Sequence, residues 1–123
     1  MKWFQAGITV AVLAVGITAI APMAAQRVCL HGADETPEQA ARRKQALSFA
    51  RQLHNEQMKA FQSAKGYLPG EKLAAKTAPE GFEMKLITDA KGYAFSVVDK
   101  SDPCKFGYFS NEDALIYKGV VTQ

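Results

Sequence analysis

The spacing of apolar and polar residues changes twice along this chain, and those changes divide it. Residues 1–25, MKWFQAGITVAVLAVGITAIAPMAA, carry a single charge, Lys2, around an apolar core from about Gly7 to Ala21. Arg27 to Glu35 has no period, which predicts an irregular lead-in over residues 26–35. From Pro37 to about Ala64, apolar residues recur every three or four positions: Ala46, Phe49, Ala50, Leu53, Ala60, Phe61 and Ala64. On a helix that spacing makes one stripe. Thr36 is placed to cap it, Pro37 suits the first helical position, and Gln39 completes a capping-box pattern. Arg42, Arg43, Arg51, Glu56 and Lys59 fall mostly off the stripe, as a solvated face should. Lys65-Gly66 ends the helix, with glycine where a left-handed cap is wanted.

After the helix the period becomes two. GYLPGEKLAAKTAPEG, Gly66 to Gly81, has the prolines and glycines of a loop, with room for one short turn near Glu71–Lys76. Phe82, Met84 and Leu86 then alternate with Glu83 and Lys85, and Tyr93, Phe95 and Val97 alternate with Ala94, Ser96 and Val98. Asp89 to Gly92 joins these strands as a four-residue hairpin loop. A third strand is expected at about Lys105–Phe109 and a fourth at about Ala114–Tyr117, with Ser110–Asp113 between them. Both faces of that last pair are rather apolar, which places it near the sheet centre. The fold class is α+β: one long N-terminal helix packed on a three- or four-stranded antiparallel meander, a single domain over residues 36–123.

Residues 1–25 admit two readings. A cleaved secretory signal needs a basic start, an apolar centre and small residues before the cut. A cut after Ala25 meets the last requirement only in part, because Met23 occupies a position where a small residue is wanted. A cut after Ala21 would place Pro22 next to it. An uncleaved membrane anchor is the other reading, since about 20 apolar residues span a bilayer. On either reading the remainder is exported: periplasmic, secreted or membrane-anchored.

The cysteines agree with export. Cys29 and Cys104 are the only two, and an oxidising compartment favours their pairing, with free thiols or a bridge between chains as alternatives. A closed loop of this length would contribute about 4 to 5 kcal/mol by chain entropy. That matters in a domain this small, whose total stability is of the same order. QRVC does not provide the small residues a lipoprotein cut before Cys29 would need.

Charge narrows the partners. The chain carries 15 basic and 12 acidic residues, for a net charge of +3. The densest basic cluster is Arg42-Arg43-Lys44, too thin for a nucleic-acid face. Candidate chemistry is equally sparse. Cys29 and His31, with His54 on the helix, form a nucleophile pair only if Cys29 is reduced. Cys29, His31 and Asp34 are a poor zinc set. Asn111, Glu112 and Asp113, with Asp102, offer oxygen ligands for calcium, and Glu112-Asp113 an acid pair, but such residues are also ordinary turn formers. Tyr93, Phe95, Phe106, Tyr108 and Phe109 read as sheet core rather than as a ligand cage. No haem-attachment, phosphate-loop or serine-hydrolase motif is present. The chain is therefore not expected to be an enzyme, and no cofactor, metal or small-molecule substrate is assigned.

Three short motifs connect the chain to a family. Gly66-Tyr67 closes the helix, Pro79-Glu80-Gly81-Phe82 leads into the first strand, and Phe109-Ser110-Asn111-Glu112-Asp113 is followed by Leu115-Ile116-Tyr117. In this order, over about residues 36–119, the chain resembles type IV pilins and the pseudopilins of type II secretion. It departs from them in the leader: no acidic residue precedes Asp34, so the family's leader-peptidase site and its conserved glutamate have no counterpart. Ala114 also stands where the family usually has glycine. The resemblance implies an exported, non-enzymatic head domain without the standard assembly stalk. Its partners would be another protein, copies of itself, or the membrane through an uncleaved residue 1–25 segment. The alternative is a secreted soluble binding or inhibitor module in which a helix backs a sheet.

Overall fold

The helical stripe and the alternating strands find each other. In the computed structural model, residues 28–121 are described except 65 and 76, so the signal or anchor expected at residues 1–25 lies outside the described part. Helix α1 runs Pro37–Ala64, 28 residues, and a single 3-10 turn follows at Gly70–Lys72. Strands β1 (Phe82–Thr88), β2 (Tyr93–Asp99), β3 (Phe106–Asn111) and β4 (Tyr117–Val120) form one antiparallel sheet in the order β1-β2-β3-β4. The expected α+β architecture is the one observed, with four strands.

Alternation sorts the sheet into two faces. Rows such as Met84↔Val97↔Tyr108↔Lys118 share the helix side, and Lys85↔Ser96↔Phe109↔Tyr117 share the outer side. Ala46, Phe49, Ala50 and Leu53 of α1 are buried with Leu73, Phe82, Tyr93, Phe95, Val97, Phe106 and Tyr108. Each such large side chain contributes roughly 1.5 to 3 kcal/mol by leaving water. The helix stripe is narrower at its C-terminal end than expected. Phe61 is 41% exposed, stacking only on Tyr67 at 4.9 Å. The deeper position there belongs to a polar residue, Gln57, which is fully buried.

Helix boundaries follow local chemistry. The Thr36 hydroxyl accepts the Gln39 N–H at 3.2 Å, one half of the capping box. The other half does not form, because the Gln39 side-chain oxygen accepts a bond from Arg42 Nη1 at 2.8 Å instead. At the other end Gly66 is not left-handed, against expectation, since Gly81 is the one described glycine with positive φ. The chain leaves α1 by a different device. The Gln57 side-chain amide donates to the Leu68 carbonyl at 2.7 Å and accepts the Leu68 N–H at 2.8 Å. It thereby acts as a strand partner for the departing backbone. One residue earlier, the Glu56 carboxylate accepts the N–H groups of Ala74 and Ala75 at 2.8 and 3.0 Å.

Two connections show what the short motifs do. Pro79–Phe82 is a tight turn, closed by Phe82 N–H to the Pro79 carbonyl at 2.9 Å, with Gly81 at φ 83°. A Cβ on Gly81 would also collide with the Arg42 guanidinium. The β1–β2 loop is Asp89–Gly92, as expected. Its Asp89 carboxylate accepts the N–H groups of Lys91 and Gly92 at 2.7 and 2.8 Å, which organises the turn.

The closing hairpin differs from expectation in two respects. Strand β4 begins at Tyr117, three residues later than the apolar run implied, and pairing starts at Phe109↔Tyr117. The intervening residues close locally: Ala114 N–H donates to the Asn111 carbonyl at 3.1 Å and the Ser110 hydroxyl to the Leu115 carbonyl at 2.9 Å. The pair is also only half central: β3 lies between β2 and β4, as expected, but β4 does not. Strand β4 is an edge strand, with Tyr117 59% and Val120 53% exposed. Ala114 sits at φ 67° within this turn. A left-handed residue with a Cβ costs about 1 kcal/mol, so Ala114→Gly is expected to raise stability by about that much in urea unfolding. An unchanged or lower midpoint would contradict it.

Candidate functional site

The lead-in, irregular as expected, is tied down at three points, and these tie points form the most chemically unusual region of the molecule. Cys29 is bonded to Cys104 across 75 residues, with Cα atoms 5.2 Å apart. This is the expected staple, formed within one chain, and it removes the candidate thiol nucleophile. Beside it, Asp102 is fully buried and accepts the N–H groups of Leu30, Cys104 and Phe106 at 3.1, 3.0 and 3.1 Å. One carboxylate thus binds the lead-in to the β2–β3 loop and to the first residue of β3.

The third point is His31. Its ring is 1% exposed, with Nδ1 2.7 Å from Glu35 Oε2 and Nε2 2.7 Å from Asp99 Oδ2. Both ring nitrogens face carboxylate oxygens, which only accept when ionised. Both bonds are satisfied together only when the imidazole carries both protons. The ring lies 5.0 Å from the Phe106 ring, so these hydrogen bonds are set against an apolar wall.

Two arginines complete the chain of charges. Arg42 Nη2 donates to Asp99 Oδ1 at 3.1 Å, and Arg43 Nε and Nη2 grip the Glu35 carboxylate at 2.9 to 3.2 Å. Arg42 also lies 5.4 Å over the Phe82 ring. The order Arg43–Glu35–His31–Asp99–Arg42 therefore alternates nitrogen-bearing side chains with carboxylates from one end to the other. The Arg43 hydrogen bond leads the effects that hold the Glu35 carboxyl below its usual range. Burial pushes the Asp99 carboxyl up, but bonds from Ser101, His31 and Arg42 outweigh it and hold this group low as well. The guanidinium of Arg43 gains in basicity from the same Glu35 contact.

The expected solvated face of α1 thus needs correction: Arg42 and Arg43 hold the lead-in and the end of β2, and Glu56 holds the loop after the helix. Their targets lie far away in sequence, Asp99 being 57 residues from Arg42, so no local pattern reveals them. Nothing in the lead-in singled out Glu35, and His31 was visible only as a weak ligand candidate.

Other candidate residues are not brought together. Asp102 and Asn111–Asp113 stand at opposite ends of β3, roughly 17 Å apart at the rise of a strand. Asn111 Oδ1 accepts the Asp113 N–H at 3.0 Å, as an ordinary turn does. Among the described residues no group of three or more His, Cys, Asp or Glu is arranged to hold a metal ion. His54 bonds the hydroxyl of Tyr93, whose pKa burial pushes up to about 12. Tyr93, Phe95, Phe106 and Tyr108 are core residues, as expected, whereas Phe109 is half-buried on the outer face.

The arrangement is a clamp. Each of its five side chains is bonded to another within it, and the His31 ring is closed to solvent. No family model, no curated protein and no solved structure matches the chain. Its described residues contain no helix long and apolar enough to cross a membrane.

Proposed function

We propose that this chain is an exported, non-enzymatic structural or interaction protein with a pilin-like head, attached to or released from the membrane through residues 1–25. The reading is carried by the way the lead-in is locked. A disulfide, a buried aspartate and a hydrogen-bonded chain of five side chains hold residues 29–35, the segment that connects the head to the apolar N-terminus. Rigid hold at that point suits a head that must keep its orientation relative to whatever residues 1–25 engage. An oxidising compartment suits the disulfide. The helix, the Pro79–Phe82 turn and the Phe109↔Tyr117 hairpin occur in the order the pilin resemblance implies.

The decisive experiment is expression of the full chain in a bacterial host with an export apparatus. Membrane fractionation, N-terminal sequencing and chemical cross-linking then follow. Retention of residues 1–25, membrane association and cross-linked multimers are expected. A mature protein that begins at Gln26 and runs as a soluble monomer would sink the pilin-like reading and favour a secreted binding module.

A further inference from the structure

Beside the clamp, and partly lined by its His31, Glu35 and Arg43, lies the seam between α1 and the edge strand β4. Two open depressions lie along it, about 510 and 470 Å³ in volume, and both are lined by Arg43 and Lys118. The first extends to Val120, and the second to Leu47, Arg51 and Ile116. Together they form one groove with a partly apolar floor. Arg43, Leu47 and Arg51 are four residues apart on α1 and so project along the same side of the helix. Arg43 is occupied by Glu35, but Arg51 and Lys118 have no carboxylate partner among the described residues.

Beside the groove runs the edge of β4, with no strand among the described residues paired beyond it. An edge strand presents unpaired N–H and C=O groups that only another extended polypeptide can match in series. That excludes a lipid surface or a nucleic acid as the fitting occupant. The side chains of β4 specify the sequence pattern of such a strand. Lys118 is on the helix side, and Tyr117, 59% exposed, is on the outer side. Val121, 43% exposed, follows two residues beyond Gly119.

We infer that the α1–β4 groove is a docking site for an extended segment of an acidic partner protein, which adds to β4 as a fifth strand. Alternate side chains of that segment are carboxylates facing Lys118 and Arg51, and the others are apolar residues covering Tyr117 and Val121. A second copy of this chain fits less well. Two-fold pairing of β4 with itself brings the Lys118 and Arg51 side chains of both copies to one side of the joint, and like charges across strands repel. The inference rests on the interaction-protein reading but not on export or membrane attachment, so its test is separate from fractionation and cross-linking.

The test is titration of the isotope-labelled, oxidised full chain with a soluble eight-residue peptide of alternating Glu and Val, followed by amide NMR. Saturable shifts at Tyr117–Val121, Leu47 and Arg51 are expected, and an alternating Lys-Val peptide should leave these signals unmoved. Arg51→Glu with Lys118→Glu changes exposed groups outside the core. It should keep the dispersed spectrum, weaken the Glu-Val peptide at least tenfold and turn preference toward Lys-Val. Equal binding of both peptides, no saturation, or shifts confined to the β1 edge would overturn the proposal. So would anionic phospholipid vesicles shifting these amides where the peptide does not, or a concentration-dependent dimer that buries β4.

Discussion

Opening the Cys29–Cys104 bridge, by reductant or by replacing both cysteines with serine, is expected to lower unfolding free energy by about 4 kcal/mol. The figure follows from loop length. A cross-link over 75 residues removes a large part of the unfolded chain's freedom. The native side of the balance changes less, because Asp102 and His31 still hold the same segment to the same loop. A domain of this size has roughly 5 to 10 kcal/mol in total, so about half of it depends on one bond. Urea unfolding with and without reductant measures the difference, and the serine pair controls for effects of the reductant. If midpoints coincide, the lead-in is held by its polar contacts alone. Loss of folding altogether would mean that those contacts cannot form without the cross-link.

Replacing Asp99 with alanine is the second large effect, expected at about 3 to 5 kcal/mol. Asp99 is fully buried and receives bonds from His31, Arg42 and Ser101. Its removal leaves the 1% exposed imidazole without one carboxylate and the Arg42 guanidinium without its ion-pair partner. Stranding one side of a buried charge pair costs more than the intact pair contributes. A compensated variant separates these effects. Asp99→Asn with His31→Gln replaces the carboxylate and the ring by neutral amides that can still hydrogen-bond, and should recover part of the loss. Failure of the double variant to exceed Asp99→Ala would show that packing rather than charge compensation dominates.

The same pair of carboxylates gives the protein an acid edge. Glu35 and Asp99 are held below their ordinary values in the folded state. Around pH 4 the unfolded chain binds more protons than the folded one, so their contribution is complete above that region and is lost as pH falls through the lowered folded values. The wild-type melting temperature should therefore drop more steeply between about pH 4.5 and pH 2 than that of the Asp99 variants.

Much of the architecture could be read directly from local patterns. Three-and-four spacing marked α1 because a helix repeats its faces at 3.6 residues, and alternation marked β1 and β2 because a strand repeats at two. The Asp89–Gly92 loop was legible because its aspartate organises its own turn. Strand β4 was misplaced because Leu115-Ile116 is apolar without being paired. Ile116 packs against the core from a loop, and hydropathy alone does not distinguish that from a strand.

What the sequence determined by itself was the class of fold, the order of its elements and the two cysteines available to staple it. These depend on short-range periodicity and on composition. Only the tertiary structure decided what the charged residues do. Arg42, Arg43, Glu56 and Gln57 all occupy a helix that reads as ordinary, and their roles come from groups 8 to 57 residues away. Charge and hydrogen-bond partners are chosen by proximity in space, and proximity is set by how α1 lies on the sheet. The β4 groove arises in the same way. It exists because the helix stops short of covering the last strand, and no residue in that strand announces this alone.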